Sequence, residues 1–266
     1  MRTLLEIFAL CYLLPLLVSA ILYWFRGRGA DWRSADRSSA RLLIPARRNL
    51  EAVVRIFSAR TVSWRGIIAT HSWVVIKDAH ARAYERFDYT AWGAPIWKDR
   101  FVPDGRWFGS APEIVFAADG AIAARMIPTI RATVRDYRFP HPGDYRLWPG
   151  PNANTFVAAV MQSVSMKAAL PPTAVGKDFP YDGHWLGWTP SKTGVRLNLG
   201  GYLGVTVGWY EGIELNVIGA VAGLDIRRPA LKFPGVGRLG MALHSCCPPV
   251  IEQGQPAERR VFRGDR

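Results

Sequence analysis

The sequence predicts an α+β domain behind one membrane-crossing helix, and three observations predict it. From Thr3 to Phe25 the chain reads TLLEIFALCYLLPLLVSAILYWF, with Glu6 as its only charge. After a basic linker and one short helical pattern come strand patterns, then two helical patterns, then a long run of short strands broken by Gly. Strands and helices are thus grouped rather than alternating, which is the mark of an α+β architecture. Finally, 49% hydrophobic against 21% charged residues is the balance of a chain that buries a core, so neither disorder nor a polytopic membrane protein is implied.

The apolar segment is long enough to cross a hydrocarbon core of about 30 Å. Tyr23 and Trp24 stand where an aromatic belt lies, and Arg26 and Arg28 follow at once. Val18-Ser19-Ala20 also fits a signal-peptide cleavage site, but the apolar run continues to Phe25 and only Arg2 precedes it, which favours a retained anchor. The expected organisation is an anchor over residues 1–25, a basic linker over 26–48, a soluble α+β domain over 49–247 and a disordered tail over 248–266.

The net charge is +13. No basic stretch interleaves with a nucleic-acid motif, so nucleic acid is not the expected partner. Arg26, Arg28, Arg33, Arg37, Arg41, Arg47 and Arg48 instead lie beside the apolar segment, where anionic lipid headgroups are the natural partner of a protein already held in a lipid bilayer. The same excess, by the positive-inside bias, places the soluble domain on the cytoplasmic side.

Within the domain, the pattern predicts a short helix over Asn49–Ala59 with Asn49 as its cap. GIIATHSWVVIK reads as a buried strand and YERFDYTAW as its neighbour, joined by a turn over Lys77–Arg82. PEIVFAA reads as a third strand. Residues 120–136 favour a helix despite Pro128, with Ile122, Met126, Ile130 and Val134 along one face. PHPGDYRLWPGP then leads into NANTFVAAVMQSVSM, a helix capped by Asn, with Phe156, Val160 and Val164 on one face and Val157 and Met161 beside them. After Pro171-Pro172 the chain turns to Gly-broken strands, and Glu211, Glu214 and Asp225 exclude a second membrane span there.

Few motifs carry chemistry. Cys11 falls in the apolar segment, and adjacent Cys246 and Cys247 offer neither a disulfide framework nor a zinc site, so no metal and no cofactor is implied. Gly235, Gly237 and Gly240 match G-x-G-x-x-G, but without the strand before and helix after that a dinucleotide site requires. His80, His141, His184 and His244 are isolated. His71 differs, because an imidazole inside an apolar strand is costly unless hydrogen-bonded or used. A nucleophile at a helix N-terminus gains from the dipole and the free N–H groups, and a strand histidine can take its proton. His71 and the turn PGPNANTFV supply that pairing in the order strand first, helix second. A capping Asn and a hydrogen-bonded buried His account for the same residues without any activity.

HSWVVI followed by YERFDYTAWG resembles the histidine strand and next strand of the PPPDE and lecithin-retinol-acyltransferase-like permuted thiol peptidases. YRLWPGPNANTFV is similar to their nucleophile segment. The resemblance covers roughly residues 60 to 166. It implies a permuted papain-like domain with antiparallel strands and a C-terminal β-rich extension, with His71 as base, Asn152 as the leading Asn, and Asn154, Thr155 and Phe156 after the nucleophile. Ala153 falls where that family has its cysteine, and a methyl group cannot attack a carbonyl. More broadly the chain resembles bacterial membrane-anchored domains of unknown function with WRG, HSW-type and GPN-x-NTF segments, which implies a single-pass protein of the inner membrane.

The expectation is therefore a non-catalytic binding cleft lined by His71, Asn152 and Asn154, with Trp73, Trp148 and Phe156 as apolar walls. A peptide, an acylated molecule or a cell-wall fragment would be its ligand. One alternative is an amidase or acyl-transferring hydrolase using His71 as base with water or Thr155 as nucleophile. The other is a structural membrane protein.

Overall fold

The computed structural model describes residues 2–25 and 32–242. Helix α1 (Arg2–Phe8), a π-helical turn (Ala9–Leu13) and α2 (Leu14–Phe25) run on as one apolar helix. Pro15 has no N–H and its ring crowds the carbonyl four residues back, and the turn just before it is widened so that Leu14 N–H reaches Ala9 O. Among the described residues this is the one helix long and apolar enough to cross a membrane, a property that anchors and signal sequences share.

The first sheet comprises β1 (Val53–Arg60), β2 (Thr70–Lys77), β3 (Glu85–Tyr89), β4 (Ile96–Lys98) and β5 (Glu113–Asp119), antiparallel throughout in the order β4-β3-β2-β1-β5. The expected helix over Asn49–Ala59 is replaced by β1. Asn49 Oδ1 accepts the Glu51 N–H at 3.0 Å, closing a local turn rather than capping a helix. The strand then lies between β2 and β5 with both faces covered, where β-branched Val53, Val54 and Ile56 fit the pleat.

Strand alternation divides the core in two. Val54, Ile56, Val74 and Ile76 face one way, against α3 (Gly120–Arg135) and α4 (Ala153–Ser163). Phe57, Ala59, Trp73 and Val75 face the other way, against Ala35, Trp107 and Phe108. Part of the expected linker is thus built into the fold: the Leu42 and Leu43 N–H groups donate to the Asp104 carboxylate at 2.8 and 3.1 Å, and both side chains pack on the second cluster. Arg26, Arg28, the Cys246-Cys247 pair, His244 and the expected disordered tail lie outside the described residues. On α3 the buried stripe is Ala123, Ile127, Ile130 and Val134, while Ile122 is exposed. A strict four-residue spacing drifts off the face of a helix with 3.6 residues per turn, which is why the stripe starts one residue later than expected.

The second sheet is a seven-stranded antiparallel meander: β6 (Leu186–Trp188), β7 (Gly194–Leu199), β8 (Leu203–Gly208), β9 (Gly212–Val217), β10 (Ala220–Asp225), β11 (Ala230–Phe233) and β12 (Gly237–Gly240), each paired with the next. Its hairpins are tight. Between β9 and β10 only Ile218 and Gly219 intervene, both at positive φ (54° and 81°), as a twist-matched two-residue turn demands. Gly237 and Gly240 bound a strand rather than open a helix, so the G-x-G-x-x-G spacing belongs to a hairpin.

Candidate functional site

The N-terminus of α4 is fixed by a reciprocal cap. Asn152 Oδ1 accepts the N–H groups of Asn154 (2.9 Å) and Thr155 (3.2 Å), and Thr155 Oγ1 accepts the Asn152 N–H at 3.1 Å. The sequence reading of Asn152 as a cap agrees with this geometry. Asn152 Nδ2 also donates to the carbonyls of Leu147 and Val175 (3.0 and 2.9 Å), tying two loops to the helix start. Gly176, at φ +86°, leaves room for it: a Cβ there would lie 2.2 Å from Asn152 Nδ2.

Thr155, expected as a possible nucleophile, is fully buried, and its hydroxyl donates to Gly176 O at 2.7 Å while serving the cap. Its place is structural, because the proton a base would remove is held by a backbone carbonyl. Asn154 reaches across to β2, donating from Nδ2 to Thr70 O (2.9 Å) and Val175 O (2.8 Å). Those two bonds set the amide orientation and leave Asn154 Oδ1 buried without a partner, and Thr70 Oγ1 is in the same state.

His71 is 5% exposed. Its Nε2 lies 3.0 Å from Asp88 Oδ1, and Asp88 is in turn held by Arg86, Nε to Oδ2 at 2.7 Å and Nη2 to Oδ1 at 2.9 Å. Burial pushes the imidazole below its usual range and outweighs the pull of Asp88, so a neutral ring donates Nε2–H to a carboxylate rather than forming an ion pair. For Asp88 the balance runs the other way. Burial alone would raise its carboxyl, but the Arg86 charge and the hydrogen bonds from His71 and Arg86 hold it below the usual carboxylate value. The His71 ring shares its strand face with Trp73 and lies against Trp107, centroids 3.6 Å apart. That is the face opposite α4.

One cavity of about 380 Å³ opens between the start of β2, the start of α4 and the N-terminal helix. His71, Asn152, Asn154 and Trp148 contribute to its lining, as does Ala153. Trp73 and Phe156 do not. Both are fully buried, Trp73 stacked on Phe57 in the second cluster and Phe156 on Tyr89 in the first, because strand and helix periodicity turn them into the core. The apolar walls come instead from Leu16, Trp64, Ile68, Tyr145, Leu147 and Val175. Sequence reasoning missed Asp88, Arg86, Thr70 and Trp107. Arg86 and Asp88 did leave a signal, opposite charges two residues apart alternating with the aromatics Phe87 and Tyr89, which places them on one face.

Among the described residues no group of three or more His, Cys, Asp or Glu side chains is placed to hold a metal ion. Residues 51–179, just under half of the chain, match a family model described as a protein of unknown function (DUF3750). That stretch runs from just before β1 through α4 to Phe179, and so includes most of the cavity's polar lining. No curated protein and no solved structure matches the chain.

Proposed function

We propose that this is a membrane-held, non-catalytic binding protein whose cavity takes an acyl chain. The observation that carries this is the composition of the cavity: apolar walls, one of them from the N-terminal helix through Leu16, with Thr70, His71, Asn152 and Asn154 among the few polar residues of its lining. A volume of about 380 Å³ falls in the range of small-molecule sites. A cell-wall sugar needs many convergent polar groups and a peptide needs backbone partners, whereas an acyl chain with a polar head needs what is present.

Retention of the helix as an anchor is supported by its contacts. Tyr12 Oη donates to Leu215 O at 2.8 Å, and the single Ser19 hydroxyl proton is shared between Ile67 O at 2.5 Å and Gly235 O at 3.1 Å. Cleavage after Ala20 would remove all three and strip Leu16 from the cavity. The arginine count favours the cytoplasmic face of an inner membrane, with anionic headgroups beside the linker.

The antiparallel sheet and the order of strand histidine before helix N-terminus fit the permuted papain-like resemblance, with Ala153 in place of the nucleophile. Loss of hydrolysis is supported by two things: the inert methyl of Ala153 and the committed hydroxyl of Thr155. A hydrolase using His71 as base draws on one observation, the neutral imidazole oriented by Asp88.

The test uses the full chain in detergent micelles with a dansyl-labelled medium-chain fatty acid. Saturable binding of one probe per chain is expected, weakened several-fold by Ile68→Trp at the cavity wall and by Thr70→Val at its polar end. Binding that is absent, or equal in all three proteins, overturns the acyl reading. Stoichiometric labelling by a thiol- or serine-hydrolase probe that is lost in His71→Ala would overturn the non-catalytic one.

A further inference from the structure

The second sheet is turned inside out. Its covered face carries Arg196, Asn198, Thr206, Glu214, Asn216 and Lys232, each no more than 5% exposed. Its open face is apolar at every described strand. The register aligns Val195, Val207, Ile213, Leu224, Leu231 and Leu239 into one unbroken row across six neighbouring strands, and these residues are 44–52% exposed. A second row joins Leu186, Leu197, Val205 and Leu215. Seven strands at about 4.8 Å spacing and about 20 Å of strand give an apolar face on the order of 600 Å², at the upper limit of what a soluble monomer leaves bare.

The N-terminal helix says what covers this face. Tyr12, Pro15 and Ser19, one stripe of the helix, are its buried positions, and the Tyr12 hydroxyl is seated on Leu215 O of β9. Ala222, which pairs with Leu215 and therefore projects from the same open face, is only 9% exposed, whereas its outward neighbour Leu224 is 47% exposed. The helix thus runs over a corner of the apolar face, and its far side presents Leu10, Leu13, Leu14, Leu17 and Ile21 to the same surroundings. A helix that lies in hydrocarbon cannot touch this sheet unless the sheet lies at the same level.

We infer that the seven-stranded sheet is a membrane-seated surface: its apolar face rests in the acyl region of the leaflet that receives the N-terminal helix. The strands' backbone groups are paired within the meander, so lipid on one face leaves them satisfied. Among the described strands β6 and β12 are the open edges, which confines the sheet to lying on the leaflet rather than crossing it. Trp185, Trp188, Tyr202 and Trp209 sit at strand ends and turns of this face, more than half exposed, where an interfacial aromatic belt belongs. This inference stands without any ligand in the cavity.

The test uses the full chain, with Cys11, Cys246 and Cys247 changed to Ser, reconstituted in phosphatidylcholine vesicles. An NBD fluorophore is placed at Val205→Cys on β8, at Leu231→Cys on β11 or, as reference, at Ile122→Cys on the exposed side of α3. Melting and far-UV circular dichroism establish that each labelled chain is folded, and the two sheet sites back each other up. Expected is several-fold stronger quenching by acyl-chain doxyl lipid at both sheet sites than at residue 122, with the reverse order for aqueous iodide. Equal iodide quenching at all three sites overturns the inference. Protection of the sheet sites from both quenchers, with two chains per particle, also overturns it by assigning the face to a second copy.

Discussion

The imidazole of His71 lies flat on the indole of Trp107, ring centroids 3.6 Å apart and planes 6° apart, while its Nε2 meets Asp88 at 3.0 Å. Burial keeps the ring neutral, holding its pKa below the ordinary 6.5 against the pull of Asp88. The sign of the linkage follows. As pH falls below about 6.5 the unfolded chain takes up a proton at this histidine that the native chain refuses, so stability is intact above that pH and is lost between it and the lower native value. Asp88, held below its ordinary value, acts in the same direction but in the carboxylate range. Thermal melting at about pH 7.5 and about pH 5.5 should therefore show a drop in Tm, and His71→Gln should flatten it over that interval. An unchanged slope in the variant would place the acid sensitivity elsewhere.

Asp88 is the keystone of that cluster. Arg86 is 1% exposed, its guanidinium sits 4.1 Å from the centre of the Trp73 ring, and besides two bonds to Asp88 it donates to Val102 O at 2.7 Å. Asp88→Asn leaves this charge buried and unmatched. The expected loss is about 3–5 kcal/mol in urea unfolding, whereas Arg86→Met with Asp88→Leu should recover most of it, because removing both charges leaves none stranded. A loss under about 1 kcal/mol for the single change would mean that water reaches the pair.

At the start of α4, Asn152 does two jobs that substitutions separate. Asn152→Ser keeps an oxygen for the N–H groups of Asn154 and Thr155 but loses the donor to Leu147 O and Val175 O, and Asn152→Ala loses both. The Ser and Ala variants should differ by about 1 kcal/mol, the worth of a cap, with both falling a further ~1–3 kcal/mol below wild type for the Leu147 carbonyl left without its donor, since Val175 O keeps the bond from Asn154 Nδ2. Gly176→Ala should resemble the Ala variant, since its Cβ would displace the Asn152 amide. Denaturant midpoints across the four chains check the order.

Some of this was legible in the sequence. A turn rich in Pro, Gly and Asn ahead of an apolar helical stripe marked Asn152, and an uninterrupted β-branched run marked β2. β1 was not legible, because Leu50, Val53, Val54 and Phe57 also have the spacing of a helical face and Asn49 stands where a cap would. What overrode that pattern is a neighbour on each side, β2 and β5, which no local window contains. Trp107 as the partner of His71 is likewise a long-range contact. In the second sheet the alternation was visible in Val195-Arg196-Leu197-Asn198-Leu199, but alternation alone does not say which face is covered.

What covers the polar face is the segment carrying Lys177 and Asp178. Lys177 Nζ lies 2.8 Å from Asp178 Oδ1 and 2.5 Å from Glu214 Oε2, and Lys232 Nζ reaches Glu214 Oε1 at 2.5 Å. Burial would raise the Glu214 carboxyl, yet the two lysine charges outweigh it and hold it below the usual carboxylate range. Lys177 is likewise kept charged: burial opposes the ammonium, and Asp178 and Glu214 more than offset that. Glu214→Leu leaves the buried Lys232 ammonium without a carboxylate while Lys177 keeps Asp178, and should cost about 3–5 kcal/mol. Glu214→Leu combined with Lys232→Met keeps the Lys177–Asp178 pair matched and should restore most of the loss. The order single, double, wild type in rising stability is the expected result of urea unfolding in micelles. If the double variant is no more stable than the single, the sheet is held to residues 177–178 by hydrogen bonds at Glu214 and Lys232 rather than by charge balance.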